Sequence, residues 1–395
     1  MTFRNIKLAD LSEVITKGTT PTTMGYDFQS KGINFYKAQD LLSRYPSDTD
    51  TKISIECHDA LKRSKIRKND ILVSIAGTIG RVSIWNSRSE ANCNQAIAII
   101  RCKPDVNALF SYYALTSGDV QDQIKKMTKT TAQPNLNLQE LGSILIPQPS
   151  SIEQKALANF LSSLDDKIEL NKKINKNLEK LAQTLYKRWF VDFEFPNEDG
   201  EPYKSSGGEM VESEFGSIPK AWTIKEQGEY FPVITGKKNA NIATSDGKYK
   251  FFTCSQEVYL TDSYSFEGDA ILVAGNGDFN VKFYSGKFEA YQRTYVLIPQ
   301  NKKLSGILYF AIQHNLNDIT SGSRGSVISF ITKGHIENFK VVFPNTTELE
   351  ELGIIFRNIL ISIAHNNEEN DRLSKLRDEL LPKLMNGEIE VPIEE

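Results

Sequence analysis

The property that most restricts how this 395-residue chain can fold is an internal repeat. Asn69-Asp70-Ile71-Leu72-Val73 is echoed by Gly268-Asp269-Ala270-Ile271-Leu272-Val273, and Ile144-Leu145-Ile146-Pro147 by Val341-Val342-Phe343-Pro344. Ile152-Glu153-Gln154 returns as Leu349-Glu350-Glu351. Asn175, Leu178, Leu181 and Leu185 return as Asn370, Leu373, Leu376 and Leu380 at a constant offset of 195. The fixed order of these echoes predicts two tandem copies of one unit, because solenoid repeats are far shorter, about 20 to 50 residues.

Each copy has the same internal order. In the first, residues 32–38, 70–76, 81–85, 95–101 and 144–147 are short apolar or alternating runs separated by Gly, Pro, Asn and Asp, a pattern of strands. Residues 249–253, 270–274, 280–284 and 291–298 repeat it. One clear helix is expected over 107–127. The period then changes: from 152 to about 190 there is no Gly or Pro, and Ile174, Leu178, Leu181 and Leu185 recur at helical spacing. Ser150 and Glu153 allow a capping box at its start. A second long helix spans 348–385, with Leu373, Leu376, Leu380 and Leu384 on one face, Pro382 as a kink or early stop, and Asn386-Gly387 as its end. The expected fold class is α+β: two tandem mixed domains, each followed by a long helix. The helices are expected to pair as an antiparallel coiled coil with pseudo-two-fold symmetry, using Ile174, Leu178, Leu181, Leu185, Leu373, Leu376 and Leu380. Asn171 or Asn175 and Asn366 or Asn370 fall near the seam, where a buried polar side chain fixes register. The boundaries read as a first domain 1–150, a helical region 151–191, an acidic linker 192–214, a second domain 215–345 and a C-terminal helical region 346–395.

The formal net charge of -3 conceals an asymmetry. Residues 1–190 carry +8 and residues 191–395 carry -11, yet the block 215–345 is itself +3. Eight carboxylates crowd into 192–214 and twelve into 348–395. Two mildly basic blocks separated by acid suit two anion-facing modules. The longest apolar stretches, 96–100 and 354–364, fall well short of the roughly 20 residues of a bilayer span, and the N-terminus lacks an apolar signal core. A cytoplasmic protein without membrane attachment is expected. Cys57, Cys93, Cys102 and Cys254 make no CxxC pair, so no metal site or disulfide framework is readable, and adjacent Cys57 and His58 read as ordinary packing or surface residues.

No catalytic motif is visible. GxSxG, HExxH and the Asn/Asp-Pro-Pro-aromatic signature of amino-methyltransferases are all absent. The segments 74–81 and 274–278 complete neither GxGxxG nor a phosphate-binding loop, and read as tight hairpins. What remains is loop chemistry suited to nucleic acid. Arg reads guanine, Asn and Gln read adenine, and Lys, Ser and Thr hold phosphates. In the first copy the candidates are Lys17, Thr19, Thr20, Lys37, Gln39, Thr78, Arg81, Asn94, Gln95, Lys129, Thr130, Gln133 and Asn135. In the second they are Lys237, Lys238, Asn239, Gln256, Asn276, Arg293, Ser323 and Arg324.

The arrangement resembles the specificity subunit of type I restriction-modification systems. The resemblance covers essentially the whole chain. It rests on the tandem order, on Asn69-Asp70-Ile71-Leu72-Val73 with Gly77-Thr78-Ile79-Gly80, on Asn94-Gln95-Ala96, on Gln133-Pro134-Asn135-Leu136, and on 147–190 with Ile152-Glu153-Gln154-Lys155. In the second copy Gly325-Ser326-Val327-Ile328-Ser329 replaces the Gln-Pro-Asn pattern and Gly275-Asn276-Gly277-Asp278 the Gly-Thr-Ile-Gly hairpin, so the modules are expected to read different bases. The resemblance implies two target recognition domains that enter the major groove of double-stranded DNA, each reading half of a bipartite target, with the paired helices as a ruler. It also implies docking of two adenine methyltransferase subunits, which bring S-adenosylmethionine, and of restriction-translocase subunits. This chain itself is then expected to be a non-catalytic specificity subunit without a cofactor or metal. The competing reading is a tandem-domain coiled-coil adaptor that binds protein partners without DNA readout.

Overall fold

The computed structural model describes residues 3–128, 134–321 and 330–392. The chain forms two compact units. Unit 1 comprises Met1–Ile168 and Arg372–Glu395, and unit 2 comprises Glu169–Asp371. The units therefore do not follow the division into globular blocks and helices: each long helix contributes one stretch to each unit.

Unit 1 is built on a four-stranded antiparallel sheet in the order Ser12–Lys17, Ile97–Cys102, Ile71–Ser74, Val82–Ile84. Its two inner strands are rich in Ile, Leu and Val because both faces are covered, and every residue of Ile71–Ser74 is buried. A second four-stranded sheet runs Lys52–Ile53, Ile33–Tyr36, Ala91–Cys93, Lys65–Ile66, with Ile33–Tyr36 parallel to Ala91–Cys93. Arg4–Lys7 pairs with Leu145–Gln148, bringing the start of the unit to the strand that precedes the central helix. The single helix expected over 107–127 is two, Ala108–Thr116 and Gly118–Thr128. Ser117 is extended, and its amide and hydroxyl both bond back to the Ala114 carbonyl, at 3.2 and 2.7 Å, closing the first helix. Cys57 and His58 are packing residues of the short helix Ile55–Ala60: both are buried, and His58 Nδ1 is bonded to Asn92 Oδ1.

Unit 2 repeats the plan with one change. Val281–Ala290 is a continuous strand, whereas the first unit breaks the same strand between Ile84 and Ala91. It therefore joins what unit 1 keeps as two sheets into one of six strands: Val233–Thr235, Thr294–Leu297, Phe266–Ala274, Val281–Ala290, Tyr249–Phe252, Val258–Thr261. Gly268 and Gly286 face each other in this long hairpin, both with φ near +141°, a backbone region open to glycine. Thr223–Glu226 pairs with Lys340–Phe343, the equivalent of the first unit's terminal pair. The acidic segment 192–214 is not a bare linker: Phe195 is buried against Trp222, ring centroids 4.7 Å apart, and Met210–Ser213 pairs with Gly216–Pro219.

The long helices are Ser151–Tyr186 and Thr346–Met385. The first opens with the expected capping box, Ser150 N donating to Glu153 Oε2 at 2.7 Å and Glu153 N to Ser150 Oγ at 3.3 Å. The second continues through Pro382 and ends at Gly387, φ +71°. In unit 1, Leu157 and Leu161 share a core with Leu381, Leu384 and Met385. There Arg377 Nη1 donates to Asp165 Oδ1 at 2.7 Å, and Asp165 Oδ2 accepts the Tyr113 hydroxyl at 2.7 Å. In unit 2, Asn171 Nδ2 donates to Glu369 Oε2 and Asn370 Oδ1 at 2.7 and 3.0 Å, and Asn175 Nδ2 to Asn367 Oδ1 at 2.8 Å. Partner numbers fall as helix numbers rise, so the pairing within unit 2 is antiparallel. Leu178, Leu185, Leu373 and Leu380 are partly buried. Ile174, Leu181 and Leu376, expected in the pairing stripe, are 38, 50 and 42 % exposed, while Asn171 and Ala182 are buried and Asn171 and Asn175 make hydrogen bonds to the second helix.

Two outcomes follow from this packing. Asp70 is buried, burial pushes its carboxyl above the usual range, and Arg101 grips it at 2.8 and 2.6 Å. Arg101→Ala strands that carboxylate and should cost about 3 kcal/mol, with Asp70→Ala/Arg101→Ala less damaging than the single change, as read from urea midpoints. The Ser150 hydroxyl and amide hold Glu153 below its ordinary pKa. A depressed carboxylate stabilises above its unfolded pKa and loses that contribution as pH falls through its folded pKa. Ser150→Ala should therefore cost about 1 kcal/mol at neutral pH and less at pH 3, measured by thermal melting across that range.

Candidate nucleic-acid interface

Most of the candidate polar loops in unit 1 leave the strands at one place and are held there by backbone hydrogen bonds. Gly18 follows the strand Ser12–Lys17 and donates to the Ile97 carbonyl at 3.1 Å, while Thr19 N donates to Cys93 O at 3.1 Å. A Cβ on Gly18 would lie 2.1 Å from that Cys93 oxygen, so the close approach needs glycine. Thr20 donates its hydroxyl to Gln95 Oε1, and Thr19 Oγ1 accepts from Arg63 Nη2 at 3.3 Å. Asn94 Oδ1 accepts from Ala96 N at 3.2 Å, fixing the loop that presents Gln95. The hairpin carrying Thr78 is closed by Gly80 N on Ser74 O at 2.9 Å, with Gly77 and Gly80 at positive φ. Arg81 Nη1 donates to Gln39 O at 3.2 Å, tying that hairpin to the loop of Lys37 and Gln39. Lys37 lies 5.0 Å from the Phe28 ring centroid. Ala76 bridges Asn135, whose side chain is exposed.

Unit 2 assembles the same platform from different side chains. Gly236 takes the place of Gly18: it donates to Thr294 O at 2.9 Å, and its Cβ would lie 2.2 Å from Tyr291 O. Lys237, Lys238 and Asn239 follow it, Lys238 O accepting from Gln292 N at 3.0 Å. Gln256 Nε2 donates to Asp278 Oδ2 at 2.9 Å, and Asn280 Nδ2 to Cys254 O at 2.9 Å. Asn280 thus ties hairpin to loop as Arg81 does in unit 1. Lys282 is half-buried, donating to Ser255 O at 2.6 Å, and burial lowers its pKa below the usual lysine range. Asn276 bridges Phe330, and a groove of about 350 Å³ lies between Asn276, Gln292, Arg293, Tyr295 and Phe330.

The structure brings together Lys17, Thr19, Thr20, Lys37, Gln39, Thr78, Arg81, Asn94, Gln95 and Asn135 in one unit, and Lys237, Lys238, Asn239, Gln256, Asn276 and Arg293 in the other. Lys129, Thr130, Gln133, Ser323 and Arg324 lie outside the described residues, as does 325–329. Both segments 74–81 and 274–278 are hairpin connections, though wider than a tight two-residue turn. Sequence reading missed Arg63, which sits in a run of five basic residues among 62–68 with nothing to single it out, and Phe330, which directly follows the run 325–329 that stands in place of the Gln-Pro-Asn pattern. Each platform is a rigid base of backbone hydrogen bonds carrying amide, hydroxyl and cationic groups outward. That suits polyanion binding with hydrogen-bond readout. Among the described residues no cluster of His, Cys, Asp and Glu is arranged to hold a metal, and no helix is long and apolar enough to cross a membrane.

The family model for the type I restriction modification DNA specificity domain matches twice, over residues 2–180 and 204–375. The EcoDI type I restriction enzyme specificity subunit of Escherichia coli is 39 % identical over 178 residues, which is 44 % of this chain and only 40 % of that protein. The MjaIX specificity subunit of Methanocaldococcus jannaschii is 26 % identical over an alignment covering 98 % of this chain and 93 % of the relative. The crystal structure of a type I restriction-modification S subunit from M. genitalium superposes with a TM-score of 0.66 at 19 % identity, covering 97 % of this chain and 96 % of that one. Two matches of one family model, one on each copy of the repeat and together spanning most of the sequence, establish that the chain belongs to the type I restriction-modification DNA specificity family.

Proposed function

We propose that this protein is the sequence-reading subunit of a type I restriction-modification complex, which recognises a bipartite DNA target with one platform per half-site. The observation that carries this reading is the duplicated platform: the same glycine, hairpin and bridge geometry occurs twice, with different polar side chains on each copy. A duplicated scaffold with divergent loops is what reading two unlike sequences requires, since backbone-fixed positions place donors and side-chain identity sets which base edge they fit.

The chain works without a catalytic group or cofactor of its own. Chemistry on DNA belongs to partners: two methyltransferase subunits that bring S-adenosylmethionine, and restriction-translocase subunits. The long helices, which carry exposed Leu170, Ile174 and Leu181, supply surface for those partners and set the spacing between half-sites. A cytoplasmic location follows from this role, where chromosomal DNA and the partner enzymes are found.

Two measurements test the reading. Binding of the assembled methyltransferase complex to duplex DNA should weaken steeply with salt, each neutralised phosphate adding about 0.9 to the slope of log K against log salt. A flat salt dependence would instead support a protein adaptor that does not read DNA. Replacing residues 1–150 with those of a relative of different specificity should change one half of the methylated motif and leave the other intact, as read by methylome sequencing.

A further inference from the structure

Equivalent positions on the two platforms can be matched by their backbone hydrogen bonds alone. Ile75 N donates to Ala96 O at 2.8 Å and Gly275 N to Arg293 O at 2.9 Å, so Ala96 corresponds to Arg293. Asn94 N bonds Tyr36 O at 3.0 Å as Tyr291 N bonds Phe252 O at 2.8 Å, which places Gln95 opposite Gln292 in the comparison. Leu136 N donates to Ile75 O at 2.9 Å and Ile331 N to Gly275 O at 2.8 Å, and the bridges Ala76 to Asn135 and Asn276 to Phe330 complete the match. At one fixed framework, unit 1 therefore presents Ala96 and Asn135 where unit 2 presents Arg293 and Phe330. Gln95 and Gln292 are common to both.

The side chains at these positions face outward. Asn135, Gln95 and Arg293 are exposed, and Phe330 is 58 % exposed although it is a large apolar ring. Among the described residues the Arg293 guanidinium makes no hydrogen bond or ion pair, while its backbone carbonyl is held by Gly275 N. A guanidinium anchored at its own backbone and free at its head is positioned for bidentate contact. An exposed phenylalanine at the rim of the same groove is positioned for apolar contact with a thymine methyl. In unit 1 an amide pair, Gln95 and Asn135, occupies the corresponding rim, and amides match the N6 and N7 edge of adenine.

Building on the DNA-reading function proposed above, we infer that these framework-matched positions determine the base preference of each half-site: Arg293 with Phe330 selects a guanine flanked by thymine in one half, and Gln95 with Asn135 selects adenine in the other. Gln292 supplies a shared contact beside Arg293.

The test is methylome sequencing of a host without its own adenine methylation that expresses this chain with its methyltransferase partner. The variants are Arg293→Gln, Arg293→Lys, Phe330→Asn and Asn135→Ala. Arg293→Gln should lower discrimination at one guanine by about 10- to 100-fold, a loss matching about 1–3 kcal/mol per bidentate pair, without touching the other half-site. Asn135→Ala should relax an adenine in the opposite half only, and Phe330→Asn should relax a thymine next to that guanine. Arg293→Lys keeps the charge but not the fork, and should relax the guanine less than Arg293→Gln, because lysine also contacts guanine O6 and N7. An unchanged motif in Arg293→Gln with full methylation would make Arg293 a phosphate contact and overturn the inference, as would relaxation of both halves together. Because these side chains are exposed, melting temperatures should stay at the parent value, and a drop of several degrees in Arg293→Lys and Arg293→Gln alike would assign Arg293 a structural role instead. A parent complex that methylates no bipartite motif would defeat the proposed function itself, a result distinct from an unaltered motif in the variants.

Discussion

The buried antiparallel strand pair at the centre of each unit is the constraint on which the rest depends. Ile71–Ser74 lies against Ile97–Cys102, and Phe266–Ala274 against Thr294–Leu297, with the side chains of 71–74, 97–100 and 269–274 withdrawn from solvent on both faces. A one-residue slip would exchange the side chains of such a strand between its two faces and break the packing of both cores, so its register is fixed. The loops that leave its end inherit that precision. Ile75 and Gly275 each donate on one side and accept on the other, which clamps the 94–96 or 291–293 loop to the 135–136 or 330–331 segment without using a side chain. Backbone thus does the positioning, and side chains at the rim are left to vary.

The helices show the opposite use of polar groups. Asn171 and Asn370 are 1 and 8 % exposed and bond to each other, and within unit 1 the partly buried Arg377 donates to buried Asp165, which also accepts from buried Tyr113. Such contacts cost stability relative to leucine but have few alternative partners, so they single out one register of two helices that a purely apolar stripe would leave ambiguous. The exposed apolar residues Leu170, Ile174 and Leu181 then lie on a face that the pairing does not use.

Much of this was legible beforehand because it follows from repetition and period. The strands around Val73 and Val273, the capping box of Ser150 and the asparagines of the helix seam all announce themselves in short-range pattern. The phase of the helix stripe did not. Leucines at 178, 181 and 185 outweigh Asn171, Asn175 and Ala182 in any reading by hydropathy, yet the close approach of the helices favours the smaller and hydrogen-bonding residues. The break at Ser117 is marked in the sequence only by Gly118, which opens the second helix, and is closed by a serine side chain that folds back on its own backbone. The run 325–329 points toward Phe330, but its place in the site comes from its bridge to Asn276, a contact between residues 54 positions apart that no local pattern encodes. The offset between the copies also shifts, from 200 at Ile71 and Ile271 to 197 at Ile97 and Thr294, and this drift conceals the match between Ala96 and Arg293 until hydrogen bonds align them.

The composition of unit 1 has a consequence for biosynthesis. Its core contains Leu381, Leu384 and Met385, and Asp165 within it receives Arg377, so the unit that begins the chain is completed by residues translated some two hundred codons later. Unit 2 is continuous in sequence and has all its residues once position 371 has emerged. Translation order and completion order are therefore inverted: the first domain to leave the ribosome is the last to close, and until then the core that includes Leu157 and Leu161 lacks Leu381, Leu384 and Met385.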